Sequence, residues 1–211
     1  MISANIKRKG VYKTTVYIAR TALLAASLTA FKMALAFVPN VEVVTLLIVV
    51  YASAFGAAYA MPATLIFCAV ETAMYGFGSW VLLYFVYWPL LAIVASVCLK
   101  GGRAPLAVVI SVLGSAVFGV LSACCDTLFC AFNLAPSRLG DYWIVYYVKG
   151  LYFDIVHIVS NAVILVVAYA PLVAVLKRLA PESATRARAP KRLRKFMLDE
   201  YERQLGEDAA V

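Results

Sequence analysis

Long apolar runs separated by short breaks constrain this chain more than any other feature of its sequence. Of its 211 residues, 64% are hydrophobic and 14% are charged, against about 45–50% and about 25% in soluble globular domains. Because a helix needs roughly 20 mostly apolar residues to cross a bilayer, the length accommodates six spans. We therefore predict an all-α fold, a polytopic six-helix membrane bundle, with a multi-pass location in the cell membrane.

Prolines, glycines and charged residues mark the breaks between the predicted spans. The spans are expected at residues 16–38, 41–60, 61–75, 80–99, 105–125 and 150–176. Residues 126–149 are predicted to be a longer outward connection of mixed character, because aromatic residues favour the membrane interface and this segment contains four close together. Those aromatic residues are Tyr142, Trp143, Tyr146 and Tyr147.

The Lys and Arg residues indicate the orientation of the chain. All but three of the 19 lie before or at the start of the first run, at residues 100–103, or after residue 176. Since cytoplasmic segments are enriched in these residues, both termini are predicted to be cytoplasmic. The chain then divides into an N-terminal segment (1–15), a membrane domain (16–176) and a basic cytoplasmic tail (177–211). The tail residues suit lipid headgroups or a solvated tail, and no nucleic-acid partner is expected.

The sequence lacks the motifs of nucleotide hydrolysis and of common catalytic or metal sites. No Gly-x-x-x-x-Gly-Lys-Ser/Thr, His-Glu-x-x-His or Gly-x-Ser-x-Gly string is present. The five cysteines are an odd number without a Cys-x-x-Cys pair. We therefore predict no catalytic residues, no metal and no cofactor, and any energy that the chain uses must come from a partner.

A polar stripe interrupts the last apolar run. Asp154, His157 and Asn161 are spaced by three and four residues, so they share one face of a helix. Ionisable residues within a membrane are costly and usually face a bundle interior or a wet cavity. Two interpretations follow: contact with a ligand, or a structural network in which His157 bridges helices.

A second polar group lies between the first two runs, in Pro39-Asn40-Val41-Glu42. Proline ends a helix, Asn40 is a candidate N-cap for the next one, and Glu42 would lie in its first turn, where the helix dipole favours a carboxylate. A rigid loop with amide and carboxylate groups can also bind a polar ligand, so both interpretations stay open.

Two further charges, Lys32 and Glu71, lie within apolar runs. In the predicted topology both are in the outer half of the membrane, where Lys32 can snorkel, pair with Glu71 or neutralise an acidic group on a solute. Tyr75, Trp80 and Tyr84 offer flat faces to a ring-containing solute, although an aromatic belt would contain the same residues.

Small residues recur along the first run. Ala22, Ala26 and Ala30 are spaced by four and share one helix face. Such a face lets another helix approach closely, which suits either packing inside the bundle or docking on another membrane protein.

Taken in chain order, these features resemble the substrate-binding S component of an energy-coupling factor (ECF) vitamin transporter. The resemblance covers most of residues 16–176. It rests on the six-span layout, the alanine face, residues 39–47, Glu71 with residues 75–80, and Phe153-Asp154-x-x-His157-x-x-x-Asn161.

The resemblance implies a role and partners that residue spacing does not. It implies capture of a water-soluble vitamin or related micronutrient from outside, with inward delivery driven by a transmembrane T component and two cytoplasmic ATPases. Ala22 and Ala26, with Ala30, would dock on the T component. The predicted substrate-binding residues are Lys32, Asn40, Glu42, Glu71, Tyr75, Trp80, Tyr84, Asp154, His157 and Asn161.

Two alternatives belong to other functional classes. The chain can form a self-sufficient carrier or channel by oligomerising, although no internal repeat typical of such carriers is evident. A membrane-embedded enzyme is less favoured, with Asp126, Asp154 and His157 as the groups available for acid and base chemistry.

Overall fold

Six α-helices make up nearly all of the computed structural model, which describes residues 2–39, 41–100 and 102–179, with side chains described from residue 14 onward. The helices are α1 (Ile2–Ala34), α2 (Val44–Phe55), α3 (Ala57–Tyr75), α4 (Ser79–Cys98), α5 (Ala104–Cys130) and α6 (Leu139–Leu179). No strand occurs within these ranges. The predicted all-α fold is therefore confirmed.

Five of the six helices are long and apolar enough to cross a membrane. Less than half of the apolar window of each is buried inside the bundle, so large side chains such as Leu23, Leu113 and Val167 point outward and are exposed. Apolar surface on this scale is not stable in water and suits contact with lipid chains. The chain is accordingly a multi-pass membrane protein.

The remaining helix, α2, is shorter than predicted and lies at the centre of the bundle. It has 12 residues, ten of them buried, and it contacts all five other helices. A helix of this length rises only about 18 Å, whereas the hydrocarbon core is about 30 Å thick. The prediction of a full span at residues 41–60 is therefore wrong: Gly56, with φ of 77°, ends α2, and α3 begins at once.

The predicted irregular segment at residues 126–149 is also largely helical. Helix α5 continues through Asp126 to Cys130, two short 3-10 turns follow, and α6 begins at Leu139. α5 and α6 form the most extensive helix pair in the bundle. The sequence pattern failed here because polar and interfacial aromatic residues interrupt the apolar run without ending the helix.

Polar contacts between helices bring several helix ends together at one end of the bundle. Asp126 at the end of α5 accepts hydrogen bonds from Ser79 Oγ at the start of α4 and Tyr142 OH at the start of α6, each at 2.5 Å. Lys32 near the end of α1 pairs with Glu71 near the end of α3. We call this end of the bundle the polar end, and the candidate site lies there.

Candidate functional site

Glu42 organises a hydrogen-bonded network that connects α2, α5 and α6. Its carboxylate accepts hydrogen bonds from the Thr45 backbone N–H at 2.9 Å and from the Thr45 hydroxyl. Oε1 also lies 3.2 Å from His157 Nε2 and accepts a hydrogen bond from Asn161 Nδ2 at 3.2 Å. The same Asn161 amide donates to Ser115 Oγ at 3.0 Å. The saturated Glu42 carboxylate thus joins the start of α2 to α6, and Asn161 joins α6 to α5.

This geometry differs from the predicted cap of α2. Asn40 lies outside the described residues, and the N-cap position belongs to Val43, which makes no side-chain cap hydrogen bond. Glu42 precedes the helix rather than lying in its first turn, and its carboxylate binds the free N–H of Thr45 instead. An acidic group at this position also interacts favourably with the positive end of the helix dipole.

The electrostatic setting of Glu42 favours its charged form. Burial acts to raise the pKa of this carboxyl, but the hydrogen bonds from His157 and Thr45 outweigh it, so the pKa lies below its ordinary value. Hydrogen bonds to a carboxylate stabilise it relative to the neutral acid. Glu42 is therefore a charged, fully engaged anchor whose side chain is 18% exposed.

Lys32 and Glu71 form a second, separate cluster. They make the ion pair that was one of the predicted roles of Lys32. The Glu71 side chain is completely buried and the Lys32 side chain is 28% exposed. The Lys32 ammonium also lies 4.8 Å from the ring centre of Tyr84 and 5.5 Å from that of Tyr75, distances at which cation–π attraction operates.

Aromatic packing encloses this ion pair. Trp80 meets the Tyr84 ring edge-on at 5.1 Å, and Tyr84 stacks on Phe67, whose ring lies 5.7 Å from the Lys32 ammonium. Lys32, Glu71, Tyr75, Trp80 and Tyr84 therefore form one cluster, in which protein groups already satisfy the charge of Lys32.

A cavity of about 510 Å³ opens beside the Glu42 network, between the end of the α1–α2 connection, α5 and α6. Its volume is in the usual range for small-molecule sites, about 300–1,000 Å³. Four aromatic rings line it: Phe118, Tyr146, Tyr147 and Phe153. Its polar lining includes Ser122, Lys149, Asp154 and His157. None of the Lys32–Glu71 cluster lines it.

Asp154 is the carboxylate on the cavity wall. It is partly exposed, and among the described residues it makes neither a hydrogen bond nor an ion pair within contact distance. Its carboxylate lies directly over Gly119 of α5, where a β-carbon would overlap with it. The absence of a side chain at Gly119 is what allows this carboxylate to lie against α5.

The predicted binding residues thus separate into groups. Asp154 and His157 line the cavity. Glu42 contacts His157 without lining the cavity, and Asn161 donates a hydrogen bond to the same Glu42 oxygen. The other predicted side chains belong to the Lys32–Glu71 cluster, apart from Asn40. Within the polar stripe of α6, His157 and Asn161 have polar neighbours, and His157 links α6 to Glu42.

Sequence reasoning missed the contribution of α5. Ser111, Ser115, Gly119 and Ser122 are spaced by four, four and three residues, and the first three are buried. A stripe of small and hydroxyl-bearing residues on one face of an apolar helix was the available signal. Tyr146 and Tyr147 were noticed, but as interfacial residues rather than as part of a cavity wall.

Two other predicted features lie away from the cavity. Asp126 is engaged by Ser79 and Tyr142 and does not line it, so it does not join Asp154 and His157 as the enzyme alternative requires. Ala22, Ala26 and Ala30 are all exposed on the outer surface of α1. They are therefore not used for packing inside this bundle.

Comparison of the chain with known protein families, curated proteins and solved structures finds no match.

Proposed function

We propose that this chain is the solute-binding S component of an ECF-type ABC importer in the cell membrane. In this role it captures a water-soluble vitamin or related micronutrient from outside and delivers it inward with a T component and two ATPases. The observation that carries the proposal is the cavity at the polar end, because its aromatic and polar lining suits a small ring compound.

The buried face of α6 supports capture rather than conduction. Its buried residues follow one another at every fourth position: His157 and Asn161, then Leu165, Tyr169 and Val173. The face changes from polar near the cavity to largely apolar farther along the helix. A recess that ends in a packed core suits a binding subunit better than a channel, which needs a continuous polar path.

Binding by the isolated chain tests the proposal directly. The purified protein should bind one water-soluble vitamin in calorimetry without ATP, and native mass spectrometry after gentle purification should show a retained small molecule. No heat with any water-soluble vitamin would contradict the proposal. Solute uptake into liposomes by this chain alone would instead support the carrier alternative.

The exposed alanine face of α1 provides the test for partners. Ala22→Trp combined with Ala26→Trp should leave solute binding unchanged but abolish co-purification with an ATPase-bearing partner, because a bulky side chain prevents close helix approach. The matched control is Ala116→Trp with Val120→Trp, which places two indoles at the same spacing on an exposed face of α5. Equal recovery of partner with both double variants would remove the docking assignment.

A further inference from the structure

Asp154, which lines the cavity, and Glu42, which lies beside it, differ in their hydrogen bonds, and this difference indicates the kind of solute. Glu42 is already saturated by Thr45, His157 and Asn161. Asp154 has no such partner among the described residues and faces the cavity. A partly buried carboxylate without a hydrogen-bond donor from the protein has lost part of its hydration, so the site gains free energy when a cation approaches it.

The surroundings of Asp154 add a second requirement. Phe118, Tyr146, Tyr147 and Phe153 supply four rings to the same cavity. Aromatic faces attract cations, particularly when water is excluded, and they also stack on flat rings. Asp154 and the rings therefore favour one chemistry, a positive charge on or beside a planar ring.

Resting on the proposed function, we propose that the captured solute is a net cation, with a protonated or quaternary nitrogen on or next to an aromatic ring, and that Asp154 is its counter-ion. Gly119 is the positioning residue, since the lack of a side chain there lets the carboxylate lie against α5. Lys149 also lines the cavity but is an exposed side chain, and it does not bind the cationic group.

Calorimetry with a panel of defined charge tests the solute class. At neutral pH thiamine and pyridoxamine carry a net positive charge on nitrogen, pyridoxine and riboflavin carry no net charge, and biotin and pantothenate are anions. Pyridoxamine and pyridoxine are the matched pair, because they differ only in an aminomethyl against a hydroxymethyl group. A cationic member should bind, and pyridoxamine should bind more tightly than pyridoxine.

Three variants test the residues, each with the cationic member that binds. Asp154→Asn should lower affinity at least about 30-fold, as expected when one partner of a buried charge pair is removed. Asp141→Asn removes an exposed carboxylate of the same helix that does not line the cavity, and should leave affinity unchanged. Gly119→Ala keeps the carboxylate but displaces it, and should lower affinity about tenfold.

Folding is controlled separately. Alanine favours a helix over glycine, which offsets part of the cost of moving the Asp154 side chain away from the new β-carbon, so Gly119→Ala should lower affinity more than it changes thermal stability. Gly140→Ala is its matched control, since a β-carbon there meets nothing within 4 Å and Gly140 does not line the cavity.

The outcomes separate this inference from the proposed function. Preferential binding of a neutral or anionic member, full affinity in Asp154→Asn, or an equal loss of affinity in Asp141→Asn would overturn the inference and leave the S-component proposal intact. No binding of any member would contradict both.

Discussion

The polar end contains two groups of charged and aromatic residues, the Lys32–Glu71 cluster and the cavity wall with Asp154, which differ in whether their charges are paired. In the Lys32–Glu71 cluster, an ammonium and a carboxylate neutralise each other, and rings pack around the ammonium. At the cavity, Asp154 lies among rings as well, but no cation of the described residues is within ion-pair distance. The formal charges of the Lys32–Glu71 cluster are paired within the protein, and the charge of Asp154 is not.

This difference in pairing distinguishes charges that stabilise the fold, such as Lys32 and Glu71, from a charge that is available to a solute, Asp154. A buried ion pair contributes little net stability, but removing one partner leaves an uncompensated charge and is strongly destabilising. A partly exposed carboxylate without structural partners makes no such contribution, so removing the charge of Asp154 affects the interaction with the solute more than the stability of the empty protein. Neutralising Glu71 should therefore lower stability, whereas neutralising Asp154 should leave it nearly unchanged.

The largest expected effect on stability is at Glu71. Glu71→Gln leaves Lys32 without its counter-ion and should lower the free energy of unfolding in detergent by about 2–3 kcal/mol. Solute affinity should change less than about threefold, because Glu71 does not line the cavity. Thermal denaturation and calorimetry on one preparation measure both quantities.

The matched control is the double variant Lys32→Met with Glu71→Gln, in which both charges are absent. It should recover most of the lost stability. If it is less stable than Glu71→Gln alone, the ion pair is not the cause.

The next effect is at Asn161, which supports the cavity wall without lining it. Asn161→Leu conserves size but removes the hydrogen bonds to Glu42 and Ser115, and should lower stability by about 1–2 kcal/mol. Because His157 depends on the same Glu42 oxygen, solute affinity should fall as well. A variant that loses neither property would show that the network is dispensable.

A smaller effect concerns the pH dependence contributed by Glu42. Its pKa is lowered in the folded protein, so its contribution to stability is complete above the ordinary value of 4.5 and is lost as the pH falls through the lowered value. Thermal denaturation from pH 7 to pH 3 should show a steeper acid-side loss in the unmodified protein than in Glu42→Gln. Identical profiles would contradict this assignment.

The smallest expected change in stability is at Asp154, and it is the most direct test of the contrast with Glu71. Asp154→Asn should change stability by less than about 0.5 kcal/mol, as expected for a group without structural partners, although it removes solute affinity. A large loss of stability would place Asp154 with the structural charges and remove the contrast with Glu71.

Several parts of the molecule could be predicted from sequence because they depend on local patterns. The long apolar runs set the helical membrane fold, since only structures with internally satisfied backbones span lipid. The three- and four-residue spacings placed Asp154, His157 and Asn161 on one face of α6. A pair of the isolated charges Lys32 and Glu71 was one of three roles predicted for Lys32, because an unpaired charge is costly in a membrane.

Only the tertiary structure decided how these groups combine. Whether α2 crosses the membrane or fills the core depends on the five helices around it, and Gly56 ends it where an apolar run continues. The sequence alone does not tell that Glu42 is saturated while Asp154 is not, because hydrogen bonds across 115 and 119 residues depend on how helices pack. Composition determined the solvent of this protein, and packing determined which of its charges remain available.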